Sequence, residues 1–263
     1  MTTITMMDSK MPVSISGKAD TRKFPWGVIV VYLICLSILL SLGTWQVKRM
    51  FWKEELLATI MQNIKKPPVS IMTMEDILKQ TGSVEYRPVM VTGTFMHEGE
   101  RHFLATFKGE AGFYVYTPLQ MDDGRFVLIN RGFVPYDRKD PQTRLEGQID
   151  GPVAITGLAR DRLDAKPSSF VPDNDPAQNI FYWKDWAVMA ETGGVPDLQT
   201  LVPYFIDADD TPNPGVLPIG GVTNIELPNK HLEYAITWYG LALALTAVVG
   251  AYLWRWRYSK SSP

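Results

Sequence analysis

Two stretches of the chain are apolar on every side. Residues 24–47 and 234–254 contain no charged side chain. Each reaches the roughly 20 residues that a helix needs to cross about 30 Å of hydrocarbon. Trp26 and Trp45 bracket the first stretch. Trp238 and Tyr239 lie toward one end of the second, with Tyr252, Trp254 and Trp256 at the other, where aromatic belts sit at headgroup level. The pattern predicts two transmembrane helices. Between them it changes. Residues 46–66 keep Met50, Leu57, Ile60 and Ile64 at helical spacing, so the first helix should continue as an amphipathic one until Pro67-Pro68 stop it. A short helix is predicted over 73–80, capped by Thr73.

Alternation with a period of two follows. In 86–95, Val89, Val91, Gly93 and Phe95 share a face. His97-Glu98-Gly99-Glu100 reads as a hairpin turn into a strand at 101–107. Further strands are predicted at 112–121, 125–130, 151–159, 204–207 and 222–227, with Asp122-Asp123-Gly124 as a turn. The run 125–130 is apolar and reads as a central strand. A helix over 184–192 should end at Gly193-Gly194, and 211–218 is a proline-rich loop. The expected fold class is α+β: two transmembrane helices flanking a mainly antiparallel β domain, with one or two helices and a sheet able to curl into a partial barrel.

The expected organisation is a tail at 1–23, a span at 24–47, a domain at 48–233, a second span at 234–254 and a tail at 255–263. Two spans put both tails on one side. Lys10, Lys18, Arg22 and Lys23, with Arg255, Arg257 and Lys260, assign that side to the cytoplasm by the positive-inside rule. The domain is then periplasmic. Lys48, Arg49 and Lys53 oppose this assignment, but a large domain translocates largely regardless of charge. The first apolar run exceeds the 7–15 residues of a signal-peptide core, although Ser41-Leu42-Gly43 offers a cleavage pattern. Small residues at Gly240 and Ala244, Ala247 and Ala251, and Ser37 and Ser41 could let the spans approach each other.

Composition narrows the chemistry. Of 263 residues, 26 are basic and 28 acidic, a net charge of −2, which gives no reason to expect nucleic acid. Cys35 is the single cysteine and lies in the first apolar run. The domain therefore has no disulfide, thiolate nucleophile, covalent haem attachment or zinc thiolate site. P-loop, GxGxxG, HExxH and GxSxG patterns are missing, so no catalytic residues are expected. His97 and His102, with Glu98 and Glu100 between them, could form a metal site, but solvent-exposed histidines beside a turn explain them as well. Asp173-Asn174-Asp175 and Asp207-Ala208-Asp209-Asp210 lack EF-hand spacing and fit turn chemistry. His231 stands three residues before the second span. If Asn229 caps that helix, His231 lies in its first turn, where a positive charge is disfavoured. A neutral imidazole is a usual axial ligand of haem iron, and Tyr234, Ala235 and Trp238 would share its helix face. An interfacial polar residue with no special role is the competing reading.

Four segments carry a resemblance that extends from about residue 42 to 254. They are Gly43-Thr44-Trp45-Gln46 with Arg49 and Trp52-Lys53; Tyr114-Val115-Tyr116-Thr117-Pro118-Leu119 followed by Val127-Leu128-Ile129-Asn130-Arg131-Gly132-Phe133-Val134-Pro135; Phe170-Val171-Pro172-Asp173-Asn174-Asp175-Pro176; and His231-Leu232-Glu233-Tyr234-Ala235-Ile236-Thr237-Trp238-Tyr239-Gly240-Leu241. The chain resembles the surfeit locus protein 1 family of cytochrome c oxidase assembly factors, to which yeast Shy1 belongs. The resemblance implies a non-enzymatic factor that binds haem a without a covalent bond and assists its insertion into the catalytic subunit. The alternative is a haem-independent scaffold for an assembly intermediate of subunit I. The resemblance places the iron ligand at His231, and we add Tyr234 and Trp238 as cofactor-binding neighbours. The expected partners are oxidase subunit I, haem a synthase and membrane lipid. The stretch before residue 24 has no arginine- and serine-rich transit pattern, so a bacterial inner membrane is the expected location.

Overall fold

The computed structural model describes residues 24–223 and 228–258. Helix α1 runs over Trp26–Ile64, and Pro67-Pro68 follow its last turn. Strand β1 is the short Val69–Ser70 and α2 is Ile71–Thr81. The cap of α2 is Ser70 rather than Thr73, because the Ser70 hydroxyl accepts the Thr73 N–H. Gly82, at φ 76°, closes the helix in the left-handed conformation. Then come β2 (Arg87–Phe95), β3 (Arg101–Phe107), β4 (Glu110–Met121), β5 (Phe126–Pro135), β6 (Pro152–Asp161), α3 (Trp186–Thr192), β7 (Leu201–Ala208) and α4 (His231–Tyr258). Residues 222 and 223 are not in a strand, and 224–227 lie outside the described residues. The chain forms two compact units, Phe51–Asn229 and the pair of segments Met1–Met50 and Lys230–Pro263.

In the first unit, seven strands among the described residues form one sheet in the order β1-β2-β6-β7-β5-β4-β3. An additional pairing of β2 with β4, through Gly93 and Met121, Thr94 and Gln120, and Phe95 and Leu119, closes β2, β6, β7, β5 and β4 into a ring. The sheet is mainly antiparallel. The β1–β2 and β5–β7 contacts are parallel. Counting only the ring strands in chain order gives 1-2-3-5-4-1, with the third and fifth parallel. This is the Greek-key barrel of the OB-fold.

The ring needs close backbone approach at its junctions. A Cβ at Gly93 would lie 2.3 Å from Gln120 O, and one at Gly157 2.3 Å from Asp207 O. The expected hairpin at 97–100 is a correction: β3 pairs with β4 and not with β2. Residues His97–Gly99 instead form a 3-10 turn. The two-residue hairpin is Lys108-Gly109, both at positive φ, between Phe107 and Glu110.

Two apolar layers explain why β5 is apolar along its length. Val127 and Ile129 pack in the barrel interior with Val89, Val91, Tyr204 and Ile206, which α2 closes with Met74. Phe126 and Leu128 face the other way, into a layer with Trp186, Met189, Phe181 and Phe205. Asp185 caps α3 through the Val188 N–H, and the Trp186 indole N–H donates to Val202 O, which fixes α3 on this layer.

The second unit pairs the first part of α1 with α4. Shielded positions recur on α1 at Ile29, Tyr32, Leu36, Leu39, Gly43, Gln46 and Met50, and on α4 at His231, Ala235, Trp238, Ala242, Leu245 and Val249. Steps of three and four give a 3.5-residue period, which is the seam of a left-handed pair. Tyr32 with Thr246 (3.1 Å) and Thr44 with Tyr239 (3.1 Å) set the helices antiparallel. The small residues at the seam are Gly43, Ala235 and Ala242. Gly240, Ala244, Ala247, Ala251, Ser37 and Ser41 face outward, so the expected stripes of small residues do not make the contact. A Cβ at Gly43 would lie 2.8 Å from the Tyr239 ring. The remaining faces expose valine, leucine and isoleucine, as a surface meant for lipid does. Both helices are long and apolar enough to cross a membrane.

Candidate functional site

His231 is the first residue of α4. The Tyr234 N–H donates to Lys230 O, so the cap is Lys230 rather than Asn229. The half-buried imidazole lies on the seam. Its Nδ1 is 2.7 Å from Oε1 of Gln46 on α1. An amide oxygen only accepts, so Nδ1 carries the proton and donates. The lone pair is then on Nε2, which has no hydrogen-bond partner among the described residues. Metal-binding histidines are held this way: one ring nitrogen donates to a carbonyl or carboxylate and the other is presented to the metal. The donor chemistry at His231 therefore fits an axial ligand of haem iron.

The residues expected beside it divide. Trp238 is half-buried two turns along the same seam, and Ala235 is buried between them. Tyr234 is 55% exposed and points away from the seam. Leu232 and Ile236 are also exposed, so the outer side of α4 beside His231 is an apolar surface on which Tyr234 supplies an aromatic ring. The residue that composition and spacing missed is Gln46. Its signal was an uncharged amide at a seam position of an otherwise apolar helix, inside the Gly43-Thr44-Trp45-Gln46 run.

In the barrel unit, the Asn130-Arg131-Gly132 run acquires a structural meaning. The Asn130 amide donates to Asp207 (2.9 Å), and its oxygen accepts the Gly132 N–H (3.2 Å). Asp207 also accepts from Arg160 and Thr223, each at 2.9 Å. Burial pushes the Asp207 carboxyl up, but Lys184 and Arg160 more than offset this and hold it below its ordinary value. Asp209 caps its own turn through the Thr211 N–H, and Asp175 does so through the Gln178 N–H. Both acidic runs are thus turn and network residues.

His97 and His102 are not the solvent-exposed pair that the pattern left open. Glu100, His102 and Arg144 are each at most 5% exposed. Arg144 meets both Glu100 carboxylate oxygens, and His102 Nε2 lies 3.0 Å from one of them. Burial raises the Glu100 carboxyl, but hydrogen bonds from His102 and Arg144 overcome it and bring it to about 2. His97 Nε2 donates to Ile149 O (2.9 Å), and its Nδ1 faces Arg131. Burial lowers the His97 pKa, so the ring is neutral and accepts there. Among the described residues no three acids, histidines or cysteines converge as a metal site.

Comparison with known proteins matches residues 33–243 to the model of the SURF1 family. The chain belongs to the SURF1 family. A SURF1-like protein of Monosiga brevicollis is 39% identical over 91% of this chain and 92% of its own length. Surfeit locus protein 1 of Rattus norvegicus is 38% identical over 85% and 73%, and that of Homo sapiens 35% identical over 97% and 84%. The SURF1 family is known for assembly factors of cytochrome c oxidase and is not a known catalytic family. The SURF1 match spans Gln46, the barrel and His231 alike.

Proposed function

We propose that the chain is a membrane-anchored assembly factor of cytochrome c oxidase that binds haem a and assists its insertion into the catalytic subunit. The observation that carries this is the Nδ1–H···Oε1 bond from His231 to Gln46, which leaves the Nε2 lone pair without a hydrogen-bond partner among the described residues, at the start of a membrane-length helix. Haem a is cargo in this reading. His231 would hold its iron, and Trp238 and Tyr234 would offer aromatic surface to the macrocycle. Family membership supports the oxidase as the destination, with subunit I as the receiving partner and haem a synthase as the donor. The basic residues at 255 and 257 support cytoplasmic tails, and hence a periplasmic domain in a bacterial inner membrane.

The test is an optical spectrum of detergent-purified protein co-expressed with haem a synthesis. Wild type should show a haem spectrum, and His231→Ala should lose it. Normal haem content in His231→Ala would remove His231 as the ligand. Undiminished co-purification of subunit I with a haem-free His231→Ala variant would favour the haem-independent scaffold instead.

A further inference from the structure

The barrel is open at one end, and the opening is lined by chemistry that nothing above uses. A cavity of about 280 Å³ lies there. Its walls are Phe95 at the end of β2, Val153 and Ile155 at the start of β6, and Ala208 at the end of β7. Its floor is Arg131 of β5, whose guanidinium lies over the ring of interior Phe95. The mouth of a β-barrel is a recurrent position for small-ligand sites.

Arg131 is an unusual floor. It is 2% exposed, and its guanidinium stacks 4.6 Å from the centroid of Phe95. Nη2 donates to Gly147 O and faces Asn213 Oδ1, Nη1 faces His97 Nδ1 at 3.4 Å, and Nε has no partner. These partners are all neutral. Among the described residues no carboxylate lies within ion-pair distance of it. The acid that acts on it electrostatically is Glu100, and Arg144 already holds both oxygens of that carboxylate. Two buried guanidinium groups thus share one carboxylate, leaving one positive charge uncompensated. Asp209 also lines the mouth, but it is partly exposed and accepts the Thr211 N–H. A buried charge without a counter-charge is strongly disfavoured, and proteins pair such groups.

We propose that this mouth binds a small organic carboxylate, with the anionic group compensating Arg131 and the apolar body against Phe95, Val153 and Ile155. A planar carboxylate suits a guanidinium, and the apolar wall favours an organic body over a bare inorganic anion. The proposal is independent of the haem reading, since it uses no residue of α4.

Calorimetry on the full chain in detergent tests it, with benzoate as the probe. Benzyl alcohol and benzylamine are the neutral and cationic controls, and inorganic phosphate is the bare oxyanion. Benzoate should saturate the protein, with each control and phosphate weaker by about tenfold or more. Arg131→Met should abolish binding. Because that variant removes a buried group, Ala154→Trp at the exposed rim provides a second reading: it should block benzoate and leave the melting temperature in place. Benzoate that binds no better than benzyl alcohol, phosphate that binds as well as benzoate, or unchanged benzoate affinity in folded Ala154→Trp would overturn the assignment.

Discussion

Gln46 Oε1 and His231 Nδ1 lie 2.7 Å apart, although 185 residues separate them. The bond fixes the histidine tautomer and ring orientation together, because an amide oxygen accepts and cannot donate. Gln46→Leu should therefore lower haem affinity by about 10–100-fold, the usual effect of removing such a supporting group. Gln46→Glu, which retains an acceptor, should recover most of it. Haem titration followed by absorbance distinguishes the variants. Equal affinity in Gln46→Leu and wild type would show that the bond does not orient the ligand.

The seam contact one turn earlier should be sensitive to volume. The Cβ of Gly43→Ala meets the Tyr239 ring at 2.8 Å, so the ring, the far end of a side chain, must shift. Gly43→Leu fills the space that the ring occupies. The expected order of haem content in purified protein is wild type, then Gly43→Ala, then Gly43→Leu, with far-ultraviolet circular dichroism unchanged. A Gly43→Leu variant with full haem content would show that close approach of α1 and α4 is not required.

Acid should weaken the barrel through Glu100. Its carboxyl titrates at about 2 in the folded protein, against an ordinary value of 4.5. The folded state therefore binds this proton less readily than the unfolded chain. The resulting stabilisation is complete above about pH 4.5 and is lost as the pH falls toward 2. In Glu100→Gln the melting temperature should fall less steeply across that window than in wild type. Arg144→Met, which leaves Glu100 buried without its main partner, should cost roughly 3–5 kcal/mol in denaturant unfolding at neutral pH.

Gly132 has φ 125°, and a Cβ there would lie 1.9 Å from Ile219 O. The backbone of residue 219 is held in place by reciprocal hydrogen bonds with Phe133. Neither side can move without breaking that bridge. Gly132→Ala should destabilise the barrel by about 1–3 kcal/mol or more, measurable as a lower urea midpoint. An unchanged midpoint would mean that the 219 loop is free to yield.

The apolar periodicity of the sequence already determined a good deal. The two membrane-length helices, the extension of the first to the proline pair, the β4–β5 turn and the buried central strand read at 125–130 are all local patterns. They depend on residues at most a few positions apart. The glycines and prolines that end the elements act locally as well. His231 stood out by its place before the second span, and its proposed role as an iron ligand came from family resemblance.

Only the tertiary structure decided which strands close the ring, that Lys108-Gly109 rather than 97–100 makes the hairpin, and that His102 is buried against Glu100 and Arg144. It alone joined Gln46 to His231 and left Arg131 at the barrel mouth facing neutral groups. The reason is physical. A strand shows one side-chain alternation whichever neighbour it pairs with, and a polar side chain shows no preference along the sequence for the partner that will satisfy it. The ring closes where backbones distant in sequence approach at Gly93 and Gly157, and α1 meets α4 where the Tyr239 ring packs on Gly43.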